Sequence, residues 1–203
     1  FVLGSLGVVG FVDDYRKVIR NNADLRWLDD AARALSTVAA TTTATFLNEQ
    51  VISHATRDMG AYLLTRKTGS KIRSRLQTPL KSALKNNDDI CLISHSMGCM
   101  VSYDVLWKFS RMSEYADVRT NKSKVNLWLT LGCPLGEAGV KNNLYDGNER
   151  DRDKYPENII KDWVNISARD DFIAHDSTMK DDYRKMVRWG FLDSISDKKI
   201  YNC

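Results

Sequence analysis

The stretch ICLISHSMGCMVSYD, residues 90–104, joins two patterns that alternate in α/β proteins. Its first residues are an apolar run bounded by small residues, which predicts a buried strand over 90–94. After Gly98 the apolar residues recur at helical spacing, which predicts a helix. Ser96 therefore falls on the turn between a strand and the helix that follows it.

The patterns on either side of this stretch extend the alternation. Apolar residues recur every four positions over 71–84, which predicts an amphipathic helix that Pro79 bends. Alternating residues predict a second strand over 124–132, and a third strand is predicted over 163–168. Residues from Lys199 onward are predicted to start another strand. This order predicts an α/β protein with a mostly parallel sheet flanked by helices.

The first part of the chain has a different pattern. Apolar residues at helical intervals over 13–40 predict a helical N-terminal region, 1–56, ahead of an α/β core over 57–203. A chain of 203 residues suits one domain. The opening run FVLGSLGVVGFV is too short to span a membrane and lacks the basic start of a signal peptide. Membrane association through this segment stays open, because the run could be the tail of a longer apolar segment.

The charge pattern indicates a mixed surface. The chain has 30 Lys and Arg and 26 Asp and Glu, a formal net charge of +4, and the two signs are interleaved along the sequence. A nucleic-acid footprint gathers basic residues on one face. We therefore expect no nucleic-acid partner.

The chain shows no metal motif. Its four cysteines occur singly, which predicts buried free thiols and favours a reducing, cytoplasmic compartment. They are Cys91, Cys99, Cys133 and Cys203. The stretch DGNERDRD at 146–153 lacks the spacing and the closing glutamate of a calcium loop, and the polar segment 137–157 around it is predicted to be a surface excursion. We expect no metal and no cofactor.

A serine on a tight turn between a strand and a helix has its hydroxyl raised above the end of the sheet. The helix N-terminus then directs N–H groups toward an oxyanion formed beside that hydroxyl. Such a turn is crowded, so the residues two before and two after Ser96 need to be small, and they are Ser94 and Gly98. The alternative is that Ser96 merely caps the helix that follows it.

The motif SHSMG at 94–98 resembles the nucleophile elbow of the α/β-hydrolase superfamily, in its serine esterase and lipase-like branch. The usual pattern is GxSxG, and Ser94 replaces the first glycine with another small residue. The resemblance implies that Ser96 is the nucleophile and that the N–H of Met97 is one oxyanion donor. It covers about residues 57–203 and is specific only at the elbow and at the turn that carries the acid.

In that superfamily the nucleophile is followed by an acid and then by a histidine. The stretch WVNISARDDFIAHD fits the acid turn, which implies Asp171 as the acid, with Asp170 as its substitute. A further strand normally separates the acid from the base. The base is therefore either His175 or a histidine beyond Cys203, and in the second case the chain is truncated at one or both ends.

The other two histidines fit the base less well. His54 precedes the serine, against the order of the family. His95 adjoins Ser96, and adjacent residues on a sharp turn point apart, so we expect His95 to pack or hydrogen-bond near the elbow. No His-Gly type loop for a second oxyanion donor precedes Ser96.

The resemblance implies a serine hydrolase that acts on a small-molecule carboxylic ester or related acyl compound through an acyl-serine intermediate. Two alternatives stay open. A hydrolase scaffold without a working base would be a binding or interaction protein. An acyltransferase or thioesterase would share every residue named above, because the shape of the pocket selects the acyl acceptor.

Overall fold

The computed structural model of the protein describes residues 58–168 and 178–200. The predicted helical region 1–56 and its apolar opening run lie outside these residues. Several individual residues with predicted roles also lie outside them: His54, Asp170, Asp171, His175 and Cys203. Their roles stay predictions.

The chain divides into two compact units, one of Ser5–Gly69 and one of Ser70–Cys203 together with Phe1–Gly4. In the described part of the first unit, residues 58–64 are helical. This helix buries the side chains of Met59, Ala61 and Tyr62.

The sheet of the second unit has four parallel strands, and their order in space is their order in the chain. They are β1 (Cys91–His95), β2 (Val125–Leu131), β3 (Ile160–Ala168) and β4 (Ser194–Ile200). The prediction of an α/β fold with a parallel sheet and flanking helices is confirmed. Two strands are longer than predicted, since β3 begins at Ile160 and β4 at Ser194.

The helices lie in the connections before and between these strands. They are α1 (Arg66–Asn86), α2 (Met97–Arg111), α3 (Ala116–Arg119), α4 (Ala138–Lys141), α5 (Met179–Asp182) and α6 (Arg184–Arg188). Two short 3₁₀ helices, Ser113–Tyr115 and Pro134–Gly136, complete the connections. The long helix α1 contains Pro79 and continues through it. The sequence did not predict α5 and α6, because four or five residues are too few to show a helical period.

The core of the second unit contains one face of the sheet and helix α2. On that face Trp128 of β2 stacks on Trp163 of β3, with ring centroids 4.4 Å apart and both side chains fully buried. Tyr103 of α2 lies against Trp128, with centroids 6.4 Å apart. Burial of aromatic rings of this size supplies a large share of the hydrophobic stabilisation of a core.

A row of polar side chains crosses the sheet on the same face. Ser94, Thr130, Asn165 and Asp197 occupy matching positions on the four strands. The hydroxyl of Thr130 donates to Oδ1 of Asn165, and Nδ2 of Asn165 donates to Oδ1 of Asp197, each at 2.9 Å. Because buried polar groups are costly without partners, this row favours one register of the strands over a shifted one.

The prediction of a surface excursion over 137–157 is wrong in part. Val140, Leu144 and Asp146 are at most 5% exposed. The carboxylate of Asp146 accepts a 2.6 Å hydrogen bond from the hydroxyl of Tyr103 in α2. A polar sequence is buried here because its side chains pair with polar groups of α2, a long-range relation that composition does not reveal.

Helix α1 is held against α2 by a buried ion pair. Nη1 of Arg73 lies 3.4 Å from Oδ2 of Asp104, and both side chains are less than 10% exposed. Arg73 also donates to the hydroxyl of Tyr145 at 2.9 Å, and the N–H of Tyr145 donates to Oδ1 of Asp104 at 3.0 Å. One buried cluster therefore joins α1, α2 and the segment after α4.

Candidate functional site

Ser96 lies where the sequence predicted it, between the last residue of β1 and the first residue of α2. Its N–H donates to the carbonyl of Leu131, the last residue of β2, at 3.0 Å. Its carbonyl accepts from the N–H of Cys99, in the first turn of α2, at 2.9 Å. The turn is therefore fixed at both peptide groups of Ser96, and the residue lies at the carboxyl edge of the parallel sheet.

The backbone of Ser96 has an unusual conformation. Its φ is 51° and its ψ is −124°. This pair lies outside the β and right-handed regions, and also outside the left-handed helical region, where ψ is positive. A side chain with a Cβ atom is strained in such a conformation, at a cost on the order of 1 to 3 kcal/mol. Strain of this kind is concentrated at functional sites, where the rest of the fold maintains it.

The alternative role for Ser96, a helix cap, is wrong. Ser96 occupies the N-cap position of α2, but its side chain makes no capping hydrogen bond. A capping serine has β-region dihedrals and accepts from the second or third N–H of the helix. Ser96 as a whole residue is half-exposed. The fold does not use its side chain as a helix cap.

Met97 is the first residue of α2. The first N–H groups of an α-helix have no acceptor within the helix, and they carry the positive end of the helix dipole. The N–H of Met97 therefore suits the predicted role of an oxyanion donor. The N–H of Cys99 does not, since the carbonyl of Ser96 already accepts from it.

Ser94 and Gly98, the two small residues on either side of Ser96, have different surroundings in the structure. Ser94 is 4% exposed, and its Oγ lies 2.7 Å from Oγ of Ser102 in α2 and accepts from Nε1 of Trp128 at 3.1 Å. At Gly98, an added Cβ atom would meet no described atom within 4 Å. The steric requirement predicted for Gly98 is therefore wrong, because its Cα faces open space and not the crowded side of the turn.

His95 does not pack near the elbow as predicted. It is the last residue of β1 and its side chain is exposed. Successive residues of a strand point to opposite faces, so the burial of Ser94 directs His95 to the other face of the sheet. The side chain of His95 therefore points away from the turn, and it is not placed to act as a base on Ser96.

The predicted acid turn follows β3. Strand β3 ends at Ala168, so Asp170 and Asp171 come two and three residues after the strand, outside the described residues. Because β1, β2 and β3 are parallel neighbours, the ends of β1 and β3 lie at the same edge of the sheet. Two strand spacings separate them, about 10 Å. The end of β3, which the predicted acid turn follows in the sequence, therefore lies at the same edge as Ser96.

Two buried thiols, Cys99 and Cys133, lie next to the turn at Ser96. Sγ of Cys99 donates to the carbonyls of Ser94 at 3.5 Å and of Leu131 at 3.8 Å. Burial raises the pKa of the Cys99 thiol well above its usual range, and the neighbouring thiol of Cys133 raises it further. The Cys99 thiol therefore serves packing and not nucleophilic chemistry, and the side chain of Cys133 is buried as well. The prediction of a buried thiol is confirmed for these two and is wrong for Cys91, which is exposed.

A polar cavity that the sequence did not predict lies between α2, the segment that follows α4, and the end of α5. Its volume is about 150 Å³, and its lining includes Tyr103, Asp146, Lys154 and Tyr155. Burial raises the pKa of Asp146, although the hydrogen bonds from the hydroxyl of Tyr103 and the N–H of Tyr155 act in the opposite direction. Gly147 is required beside it, since a Cβ there would lie 2.5 Å from the carbonyl oxygen of Asn142.

No protein-family model matches this chain, and no solved structure matches it significantly. In the described ranges, no helix is long and apolar enough to cross a membrane. Over the same residues, no group of three or more His, Cys, Asp and Glu side chains is placed to hold a metal ion. What the described residues define is an α/β protein with a strained serine turn at the carboxyl edge of a parallel sheet.

Proposed function

We propose that this protein is a serine hydrolase that cleaves a carboxylic ester or related acyl compound through an acyl-serine intermediate. The observation that carries the proposal is the backbone of Ser96, at φ 51° and ψ −124° between β1 and α2. A strained strand-to-helix turn with a half-exposed serine fits the geometry of a nucleophile elbow. The motif SHSMG supplies the matching sequence.

The contacts of Ser96 support a chemical role over a structural one. The fold uses its backbone N–H and carbonyl, but it does not use the hydroxyl as a helix cap. A glycine would adopt these dihedrals without a Cβ penalty. The serine lowers the stability of the fold relative to a glycine, and a reactive role for its hydroxyl oxygen explains why a serine occupies this position.

The proposed reaction follows from this placement. Oγ of Ser96 attacks the carbonyl carbon of the ester, and the base removes its proton. The N–H of Met97 and the positive end of the α2 dipole stabilise the oxyanion of the tetrahedral intermediate. The base then returns the proton to the leaving alcohol, and water hydrolyses the acyl-serine by the same steps.

The order of the strands supports the role of Asp171, which follows β3 as the acid turn of the resembled superfamily follows a strand. It does not support His175, because β4 comes after His175 instead of separating it from Asp171. We assign Asp171 as the residue that orients the base, and we keep His175 as the candidate base because it follows the acid in the sequence. The resemblance of the elbow motif is what favours the serine esterase and lipase-like branch of the α/β-hydrolase superfamily for this proposal.

The test compares Ser96→Ala with Ser113→Ala in the hydrolysis of p-nitrophenyl esters of increasing acyl length. Ser113 is an exposed serine at the start of a short 3₁₀ helix, so its loss serves as a matched control. We expect Ser96→Ala to lose at least about a thousandfold in kcat/KM and Ser113→Ala to match the wild type. Equal rates for the two variants would reject Ser96 as the nucleophile.

The same assay tests the acid and the base. Asp171→Asn and His175→Gln are each expected to lower kcat strongly, with less change in KM. If His175→Gln keeps its rate while Ser96→Ala loses it, the assignment of the base is wrong and that of the nucleophile stands. A wild-type chain that neither hydrolyses esters nor forms an acyl-serine would favour the binding protein, and acyl transfer to an added alcohol or thiol would favour the acyltransferase.

A further inference from the structure

Helix α1 carries an unusual charge. It contains no Asp or Glu, and seven of its residues are Lys or Arg. They are Arg66, Lys67, Lys71, Arg73, Arg75, Lys81 and Lys85. Basic and acidic residues are interleaved along the chain as a whole, but this helix carries basic residues only.

Three cations of α1 form ion pairs with carboxylates of the fold. Nζ of Lys81 and Nζ of Lys85 lie 2.9 Å and 3.3 Å from Oδ2 of Asp117. Arg73 pairs with the buried carboxylate of Asp104. Three cations therefore face two carboxylates, which leaves one excess positive charge on this part of the helix.

The N-terminal half of α1 is different. Four of its cations are exposed, and no carboxylate of the described residues forms an ion pair with them. We call these four residues the basic face: Arg66, Lys67, Lys71 and Arg75. The helical period places Lys67, Lys71 and Arg75 one above the other, four residues apart.

The basic face does not stabilise the helix that carries it. Cations in the first turn oppose the positive end of the helix dipole, and α1 has no acidic residue in that turn. Like charges four residues apart also repel each other. The charge pattern of this helix half is therefore unfavourable for folding and is better explained by a partner of opposite charge.

Lys71 of the basic face, which belongs to the same unit as the sheet, lies toward the edge of the sheet that holds Ser96. Lys85, near the end of α1, pairs with Asp117, which follows α2. Arg73 pairs with Asp104, in the middle of α2. Moving from Lys85 to Arg73 thus moves along α2 toward its first residue and the turn at Ser96, and Lys71 continues in that direction.

We propose that the basic face binds the anionic surface of a phospholipid bilayer, and that this contact presents the Ser96 edge of the sheet to acyl lipids in that surface. The second part rests on the proposed function. Phosphate headgroups and anionic lipids need only point charges near the surface, which lysine and arginine supply.

The composition of the exposed face of α1 favours lipid over nucleic acid. Its exposed residues beside the cations are small and polar: Ser70, Ser74, Thr78, Ser82 and Asn86. Proteins that bind single-stranded nucleic acid interleave aromatic rings with the cations so that bases can stack on them. This face has no such ring among its exposed residues.

The test measures co-sedimentation of the full chain with vesicles of phosphatidylcholine alone and of phosphatidylcholine mixed with phosphatidylserine. The variant is Lys67→Gln, Lys71→Gln, Arg75→Gln, since glutamine keeps a high helix propensity. The control, Arg150→Gln, Arg184→Gln, Arg188→Gln, removes the same charge from three other exposed positions. Circular dichroism checks that both are folded.

We expect the wild type and the control to bind the vesicles that contain phosphatidylserine, with affinity that falls as salt is added. The variant should bind these vesicles about a hundredfold more weakly. Equal binding by variant and control would overturn the proposal. The proposal would also be overturned if the wild type bound both kinds of vesicle equally weakly. Binding of a single-stranded RNA through the same three residues, without binding to phosphatidylserine, would be such a result.

Failure of this proposal and failure of the proposed function are distinguishable. Hydrolysis of a soluble ester depends on Ser96 and should be the same in the basic-face variant and in the wild type. Vesicle binding should in turn be unchanged in Ser96→Ala. A loss of both properties in the basic-face variant would indicate a damaged fold and would contradict a separate docking surface.

Discussion

The N–H of Ser96 donates to the carbonyl of Leu131 at 3.0 Å, so the first residue after β1 is held by the last residue of β2. The carbonyl of Ser96 is held in turn by the N–H of Cys99. Relaxation of the dihedrals of Ser96 would break at least one of these hydrogen bonds. The strain of the turn is thus maintained by the sheet on one side and by α2 on the other.

The strain at Ser96 predicts an order of stability among its variants. Alanine keeps the Cβ atom and therefore keeps the strain, whereas glycine removes it. After allowance for the greater chain entropy of glycine, we expect Ser96→Gly to be more stable than Ser96→Ala by about 1 kcal/mol. Unfolding in guanidinium chloride measures the difference. A glycine variant less stable than the alanine variant would show that the turn is not strained.

Gly98 offers a second test of the turn. An added Cβ meets no described atom within 4 Å, and the residue lies inside α2. Alanine is favoured over glycine in a helix by about 0.5 to 1 kcal/mol. Gly98→Ala is therefore expected to raise the melting temperature and to keep esterase activity. A large loss of stability would mean that the space around this position is filled.

Asp146 predicts a dependence of stability on pH. Burial raises the pKa of this carboxyl in the folded protein above its value in the unfolded chain. A raised pKa means that the folded state binds the proton more tightly, so the stabilisation is complete below the unfolded pKa, about 3.9, and is lost as the pH rises through the folded pKa. From about pH 4 to pH 7 the wild type should lose stability relative to Asp146→Asn.

Urea unfolding of the wild type and of Asp146→Asn across this range measures that difference. The comparison cancels the titration of the other carboxyl groups, which both proteins share. Parallel stability curves would contradict the raised pKa. A wild type that gained stability relative to the variant as the pH rose would mean that hydrogen bonds, and not burial, dominate at this carboxyl.

Much of the fold could be predicted from local patterns. The strand before Ser96, the helix after it and the position of Ser96 between them follow from one change of period within 90–104. The parallel sheet follows from the alternation of helices and strands. These features depend on residues close together in the sequence, and the structure confirms them.

Features that depend on distant residues were not predictable. Alternation in β2 does not show that Trp128 and Thr130 face the core, because both faces of a parallel sheet carry apolar residues. The polar row through Asn165 depends on strand register, and the burial of Asp146 depends on its pairing with Tyr103. Single-sequence patterns contain none of this information.

The candidate site divides in the same way. The turn at Ser96 and the helix start at Met97 were predicted from the motif, whereas the free space at Gly98 and the exposed position of His95 required the structure. The basic face of α1 was also not predictable, because the cations of this helix that form ion pairs cannot be told from those that do not until the partners of Arg73 and Lys85 are known.

The measurement that tests the proposed chemistry most directly is the site of the covalent adduct formed with a fluorophosphonate probe. Such a probe phosphonylates an activated serine and leaves an ordinary serine unmodified. We predict one adduct per chain, located at Ser96 by peptide mass spectrometry and absent from Ser96→Ala. A wild-type chain that forms no adduct, or one whose adduct lies on another residue, would contradict the assignment of Ser96 as the nucleophile.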